Sequence, residues 1–255
     1  KDTLLSNVSG NCNVAIGQSA LCSNTTGNWN IGIGATVLPN NTTGQKNIAI
    51  GCFVMSSNVS GSANIAIGEH ALDCTVGGTS LVAIGNYAMQ KTTTANSNTA
   101  IGNTALRDLT DGIQNTAVGG AALQSNNADF NTAVGAAALA ANTGGSNTAV
   151  GRYAGGFNSS IFTSAVLVGT NAGGQLVSGS NNVAVGKSAL WSTTNGGSNV
   201  AVGTNAVCSN TIGHSNTAIG NTTMLNNTTG CCNVALGVNT LYANTTANGN
   251  VAIGH

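Results

Sequence analysis

A parallel β-solenoid is the fold this sequence predicts, and three observations predict it. A glycine-marked motif recurs fifteen times, at Gly17, Gly34, Gly51, Gly68, Gly85, Gly102, Gly119, Gly135, Gly151, Gly169, Gly186, Gly203, Gly220, Gly237 and Gly254. The spacing is 17 residues, apart from two steps of 16 and one of 18. A short fixed period means stacked coils and not a globule. The residues leading into each glycine alternate branched and small side chains, as in Asn13-Val14-Ala15-Ile16-Gly17, which is the pattern of an extended strand. Charge is almost absent: six basic and six acidic residues in 255, or 5%, where an ordinary soluble domain has about 25%.

Each coil reads in order. The strand comes first, with a β-branched residue three positions before the lead glycine (Val14, Ile65, Thr99, Val251) and an aliphatic one just before it. The residue between them is Ala in 13 of 15 copies, so Val and Ile share one strand face and Ala and Gly the other. The position opening the strand is Asn in 13 of 15 copies, from Asn13 to Asn250. Two readings of this column stay open: a hydrogen-bonded amide ladder along the stack, or turn chemistry at positive φ. A tight turn after the glycine and a second short strand through Ala-Leu or its equivalent (Ala20-Leu21, Ala189-Leu190) come next. A polar corner closes the coil, often Asn-Thr-Thr-Gly, as at Asn24–Gly27, Asn41–Gly44 and Asn227–Gly230.

In-register stacking at roughly 4.8 Å per coil gives a rod on the order of 70 Å long. Residues 1–255 read as one continuous array of about fifteen coils without separate caps. Stacked arrays normally need caps, and an open sheet edge pairs with another copy, so the expectation is end-to-end stacking or a window of a longer fibre. Neither strand face looks made for water. The flat Ala/Gly stripe invites a second sheet, and the expectation is either lateral association as a trimer or a narrow two-sheet roll with both faces internal.

Composition excludes several classes. No basic patch exists to hold a phosphate backbone, so no nucleic-acid partner is expected. The chain is 41% hydrophobic, which argues against disorder. The longest small-apolar stretch, Ala133 to Ala141, is too short to span a bilayer, and residues 1–10 lack a charged-then-apolar leader. The acids Asp2, Glu69, Asp73, Asp108, Asp111 and Asp129 read as solvated turn residues and not as a carboxylate pair for catalysis, although Asp108 and Asp111 share a corner and Glu69 sits near His70 and Asp73. No nucleophile elbow, phosphate loop or calcium nonapeptide occurs. With three His (His70, His214, His255) and no Cys-x-x-Cys pair, no metal site is expected. The expectation is no enzyme activity and no cofactor.

The unit Asn-x-Ala-Ile/Val-Gly-x-x-Ala-Leu, seen at Asn13–Leu21, Asn98–Leu106, Asn115–Leu123, Asn131–Leu139 and Asn182–Leu190, resembles the head repeat of trimeric autotransporter adhesins. It resembles still more the Asn-Thr-Ala-Val-Gly repeats of phage and algal-virus tail fibres. The resemblance implies a parallel β-roll, often left-handed and often trimeric, on an extracellular fibre. The chain departs in its longer coil and in lacking a neck, a coiled-coil stalk, a membrane anchor and a tail-fibre chaperone domain.

Ten Asn-x-Ser/Thr sequons occur, at Asn7, Asn24, Asn40, Asn41, Asn58, Asn158, Asn221, Asn226, Asn227 and Asn244. Seven of them (Asn7, Asn24, Asn41, Asn58, Asn158, Asn227 and Asn244) share the corner position seven after the lead glycine, where a row of sugars could supply the hydration that charge does not. The cysteines are Cys12, Cys22, Cys52, Cys74, Cys208, Cys231 and Cys232. Cys52 with Cys74, and Cys208 with Cys231 or Cys232, are spaced to bridge adjacent coils in an oxidising medium, while buried free thiols are the alternative. Phe53, Tyr87 and Tyr153 share one column, Trp191 and Tyr242 another. These rings could stack on sugars or pack the corner. The array is least regular from Arg152 to Ser180, where Phe157 and Phe162 occur, and a special contact is expected there first. The function expected is an extracellular structural fibre subunit, glycosylated and stacking on itself. The alternative is an adhesin or viral tail-fibre shaft, trimeric, that binds a receptor or glycan.

Overall fold

The computed structural model describes residues 1–156 and 159–255. They form two compact units, Lys1–Asp129 and Phe130–His255, each a parallel β-solenoid. The first carries β1 (Val14–Ile16), β2 (Ile31–Ile33), β3 (Ile48–Ile50), β4 (Ile65–Ile67), β5 (Val82–Ile84), β6 (Thr99–Ile101) and β7 (Thr116–Val118). The second carries β8 (Thr132–Val134), β9 (Thr148–Val150), β10 (Val166–Val168), β11 (Val183–Val185), β12 (Val200–Val202), β13 (Thr217–Ile219), β14 (Val234–Leu236) and β15 (Val251–Ile253). Within each unit, successive strands pair in parallel, with each residue beside its equivalent: Ile31↔Ile48 and Ile33↔Ile50 in the first, Val183↔Val200 and Val185↔Val202 in the second.

The core reverses one expectation. The Ala side of the strand is the inside: Ala49, Ala66, Ala100, Ala133 and Ala184 are fully buried. They pack against the Leu or Met that lies four residues after the lead glycine, such as Leu21, Met55 and Leu106, also fully buried. A Cβ built on Gly32, which takes the inner Ala position in β2, would touch Leu21 Cδ1 and Val37 Cγ1 at 3.5 Å. The Ala stripe therefore admits the coil's own Leu column and not a second sheet. The Ile/Val/Thr side faces outward and carries no charged residue. Ile101 and Val134 keep 38% and 37% of their surface exposed. Only one strand face is internal, so the roll with both faces inside does not form.

The second strand is also corrected. The Ala-Leu segment is a turn in which residues alternate in hand, with Ser19 at φ 54° and Leu21 at φ 51° flanking Ala20. It still bonds coil to coil, Leu21 N–H donating to Val37 O at 3.0 Å and Met55 N–H to Ala71 O at 3.1 Å. A third left-handed residue precedes the strand Asn, as at Trp29 (φ 57°) and Lys46 (φ 57°). Left-handed backbone costs roughly 1–2 kcal/mol per non-glycine residue. The stacked bonds hold it in coil after coil.

The lead glycine has a different cause. Its φ is +124° at Gly68 and +137° at Gly102, and a Cβ there would lie 2.6 Å from the carbonyl carbon of Gly85 or Gly119 in the next coil. Backbone meets backbone at this position, so only glycine fits.

Two amide ladders line the interior. In the strand-Asn column, Asn47 Nδ2 donates to Gly61 O at 2.8 Å and to Asn30 Oδ1 at 3.1 Å, while Asn47 Oδ1 accepts from Asn64 N–H at 3.1 Å. The same bonds recur from Asn182 through Asn199, Asn216 and Asn233 to Asn250. Strand Asn residues are not among those at positive φ, so the ladder is the correct reading and turn chemistry is not. The corner-Asn column, seven after the lead glycine, forms the second ladder. Asn24, Asn41 and Asn58 each donate to the Oδ1 one coil below, at 2.8–2.9 Å, and to the corner glycine carbonyl three residues on. This ladder stops where Thr75 replaces Asn, leaving Asn58 Oδ1 buried without a partner.

Candidate functional site

Stacked register gathers chemistry only where the sequence repeats a side-chain type in one column. Six of the twelve charged residues fall between Glu69 and Asp111, in the first unit, five of them one to six residues after a lead glycine. Phe53, His70 and Tyr87 occupy one column there, each two residues after a lead glycine and each left-handed. Their rings stack: Phe53 on His70 at 5.2 Å between centroids and 8° between planes, His70 on Tyr87 at 5.2 Å and 12°. His70 Nδ1 lies 2.9 Å from Asp73 Oδ2. Column arithmetic on the sequence groups Phe53 with Tyr87. It passes over His70, the rung between them, because His70 reads first as a titratable group beside Glu69.

Beside the stack, Asp108 accepts from Arg107 Nε at 3.2 Å and Nη2 at 2.8 Å, and Lys91 Nζ reaches its other side at 2.7 Å. The Arg107 hydrogen bonds, aided by Lys91 and by both positive charges, hold the Asp108 carboxyl down at about 2 against partial burial. Asp108 is thus an ion-paired group and not a solvated turn residue. Asp111 sits apart from it, 3.4 Å from Thr93 Oγ1. Burial, with Asp73 nearby, pushes the Cys74 thiol up.

A shallow depression opens next to this cluster, lined by Tyr87, Gln90, Lys91, Asn103, Thr104 and Arg107. The aromatic column ends here: Thr104, which lines the depression beside Tyr87, is the next residue of that column. A second depression, in the second unit, is lined by Asn239 and Tyr242.

The chain matches no protein-family model, no curated protein and no solved structure.

The remaining expected positions fall elsewhere. Of the sequons, Asn24, Asn41, Asn58 and Asn227 are fully buried, and their amide hydrogens serve the corner ladder. A sugar on Nδ2 would take one of those hydrogens and would have no room, so the row of corner sugars is corrected. Asn7 and Asn244 are half-buried ends of the same ladders, Asn226 is half-buried, and Asn40 and Asn221 are exposed. Asn158 lies outside the described residues, as does Phe157. All seven cysteines are free thiols. The expected pairs do not form because register stacks like positions, and Cys52, one after a lead glycine, stands over Glu69 and not over Cys74. Burial pushes the Cys208 thiol up. The irregular stretch at Arg152–Ser180 is a repacked interior. Leu167 replaces the inner Ala of β10, and Gly155 and Gly173 replace the facing Leu. A Cβ on Gly173 would lie 2.8 Å from Leu176 Cδ1 and 2.9 Å from Leu167 Cδ2. Phe162 is fully buried, and its carbonyl accepts from Asn147 Nδ2 at 3.1 Å. Among the described residues no group of three or more His, Cys, Asp or Glu could hold a metal, and no helix is long and apolar enough to cross a membrane.

Proposed function

We propose that this chain is a structural shaft of an extracellular fibre, in which coils stack on coils within a copy and between copies. One observation carries this reading: in each unit the interior is hydrogen-bonded from coil to coil by Asn side chains and backbone. The interaction that joins coil to coil is therefore the one that would join copy to copy. Such a shaft works as a stiff spacer and needs no catalytic group. If sugars are attached, Asn40 and Asn221 are the accessible acceptors. Electron microscopy and sedimentation of the purified chain test the reading. Elongated particles that lengthen with concentration are expected. Particles of one fixed length at every concentration overturn end-to-end stacking.

The outward Ile/Val/Thr face favours a second reading, a trimeric shaft of the adhesin or tail-fibre kind. Three copies that turned this face inward would bury its uncharged side chains. Light scattering distinguishes the two, since a trimer has three times the chain mass at all concentrations. Replacing Ile50 and Ile67 by Lys would then dissociate it.

A further inference from the structure

We propose that the depression above Tyr87 binds an acidic sugar, a hexuronate unit of an anionic polysaccharide. The argument starts from a vacant rung. Phe53, His70 and Tyr87 place three rings one above another at 5.2 Å, and the column continues to Thr104, which has the same left-handed backbone (φ 55° against 58° at Tyr87) but no ring. The space a fourth ring would fill is the depression. Its floor is an aromatic face, which takes the apolar face of a pyranose by the same contact that aromatic rings make with one another's flat surfaces.

The walls select the ring's substituents. Gln90, Asn103 and Thr104 line it with amides and a hydroxyl. Lys91 and Arg107 offer positive charge, and the Lys91 ammonium stem is 57% exposed. Both cations meet Asp108, so the charge open to a ligand is the exposed Lys91 ammonium, which has hydrogens beyond that one bond. A hexuronate presents an apolar ring face, several hydroxyls and one carboxylate, whereas a neutral sugar leaves the Lys91 ammonium unused. The opposite end of the stack, where Thr36 follows Phe53, has no charged side chain at the corresponding positions Ala35, Pro39 and Asn40. The site is therefore at one end of the stack. The proposal stands apart from the shaft reading, since a shaft that binds no sugar remains a shaft.

Calorimetric titration of the full chain with tetragalacturonate tests it, with a neutral galactose tetramer as comparator. Saturable binding of the acidic tetramer is expected, at least about tenfold tighter than of the neutral one. Thr104→Phe should fill the vacant rung and abolish binding without lowering the melting temperature. Thr36→Phe, the same change at the other end of the stack, should leave binding intact. Tyr87→Ala should weaken binding about tenfold and Tyr87→Phe should retain it. Equal affinity for the two tetramers, no saturable binding of either, or full binding by Thr104→Phe would each overturn the proposal.

Discussion

In the coils through Ala49 and Ala66 of the first unit, a small strand residue faces a large corner residue, Met55 or Leu72. In the coil through Leu167 of the second unit the sizes are exchanged: the strand residue is large and the corner positions beside it are Gly155 and Gly173. Both interiors are filled. What the stack conserves is the volume between strand and corner, and which side supplies it is free. Nothing comparable happens at the lead glycine or in the strand-Asn ladder, where backbone contact and hydrogen bonding leave one residue type. Packing can be traded between positions, but a bond or a close approach cannot.

Four changes probe this contrast, from the most to the least disruptive. Gly102→Ala adds a Cβ against the Gly119 backbone at φ +137°, and neither coil can move aside. It should cost more than about 3 kcal/mol in denaturant unfolding, or prevent folding. Leu167→Ala should cost about 2–5 kcal/mol as a cavity. Adding Gly173→Leu, which restores the usual arrangement, should recover at least about 1 kcal/mol of that. Additive losses would show that volume is not exchanged here. Asn47→Ala leaves the buried Asn64 amide without its acceptor and takes one of two donors from the Gly61 carbonyl, and about 1–3 kcal/mol should be lost. The smallest effect belongs to the surface. The Asp108 carboxyl titrates at about 2 in the folded chain against 3.8 ordinarily. Its stabilisation is full above the unfolded value and disappears as pH falls through the folded one. Melting temperatures should therefore fall more steeply between about pH 4 and 2 in the parent than in Asp108→Asn, with no difference in slope from pH 5 to 8.

The strands, the period and the place of the lead glycine are legible in the sequence, because alternation and a recurring glycine are direct marks of local geometry. The inner face is not. Val14-Ala15-Ile16 announces two faces, both apolar, and only the volume of the Leu column decides that Ala goes inside. The left-handed conformation of Leu21 or Met55 leaves no mark either, since neither residue favours it and the stacked coil imposes it. The sequons mislead for a related reason. Asn-Thr-Thr looks like a surface corner, yet Asn41 is drawn inward because the Gly44 carbonyl and the Asn24 Oδ1 need its amide. The aromatic column is half legible: a step of 17 from Phe53 lands on His70 and the next on Tyr87.

The Asn ladders carry one more consequence. In both columns the amide of the later coil donates to the oxygen of the earlier one, as Asn47 to Asn30 and Asn244 to Asn227, while backbone bonds run both ways. Within each unit the side-chain dipoles of a ladder therefore point in one sense. A copy added to such a column can extend it only in the same orientation, because an inverted copy would set oxygen against oxygen. A fibre grown this way has a front and a back, as an arrow does, and anything displayed on its flank is presented in a fixed direction along its whole length.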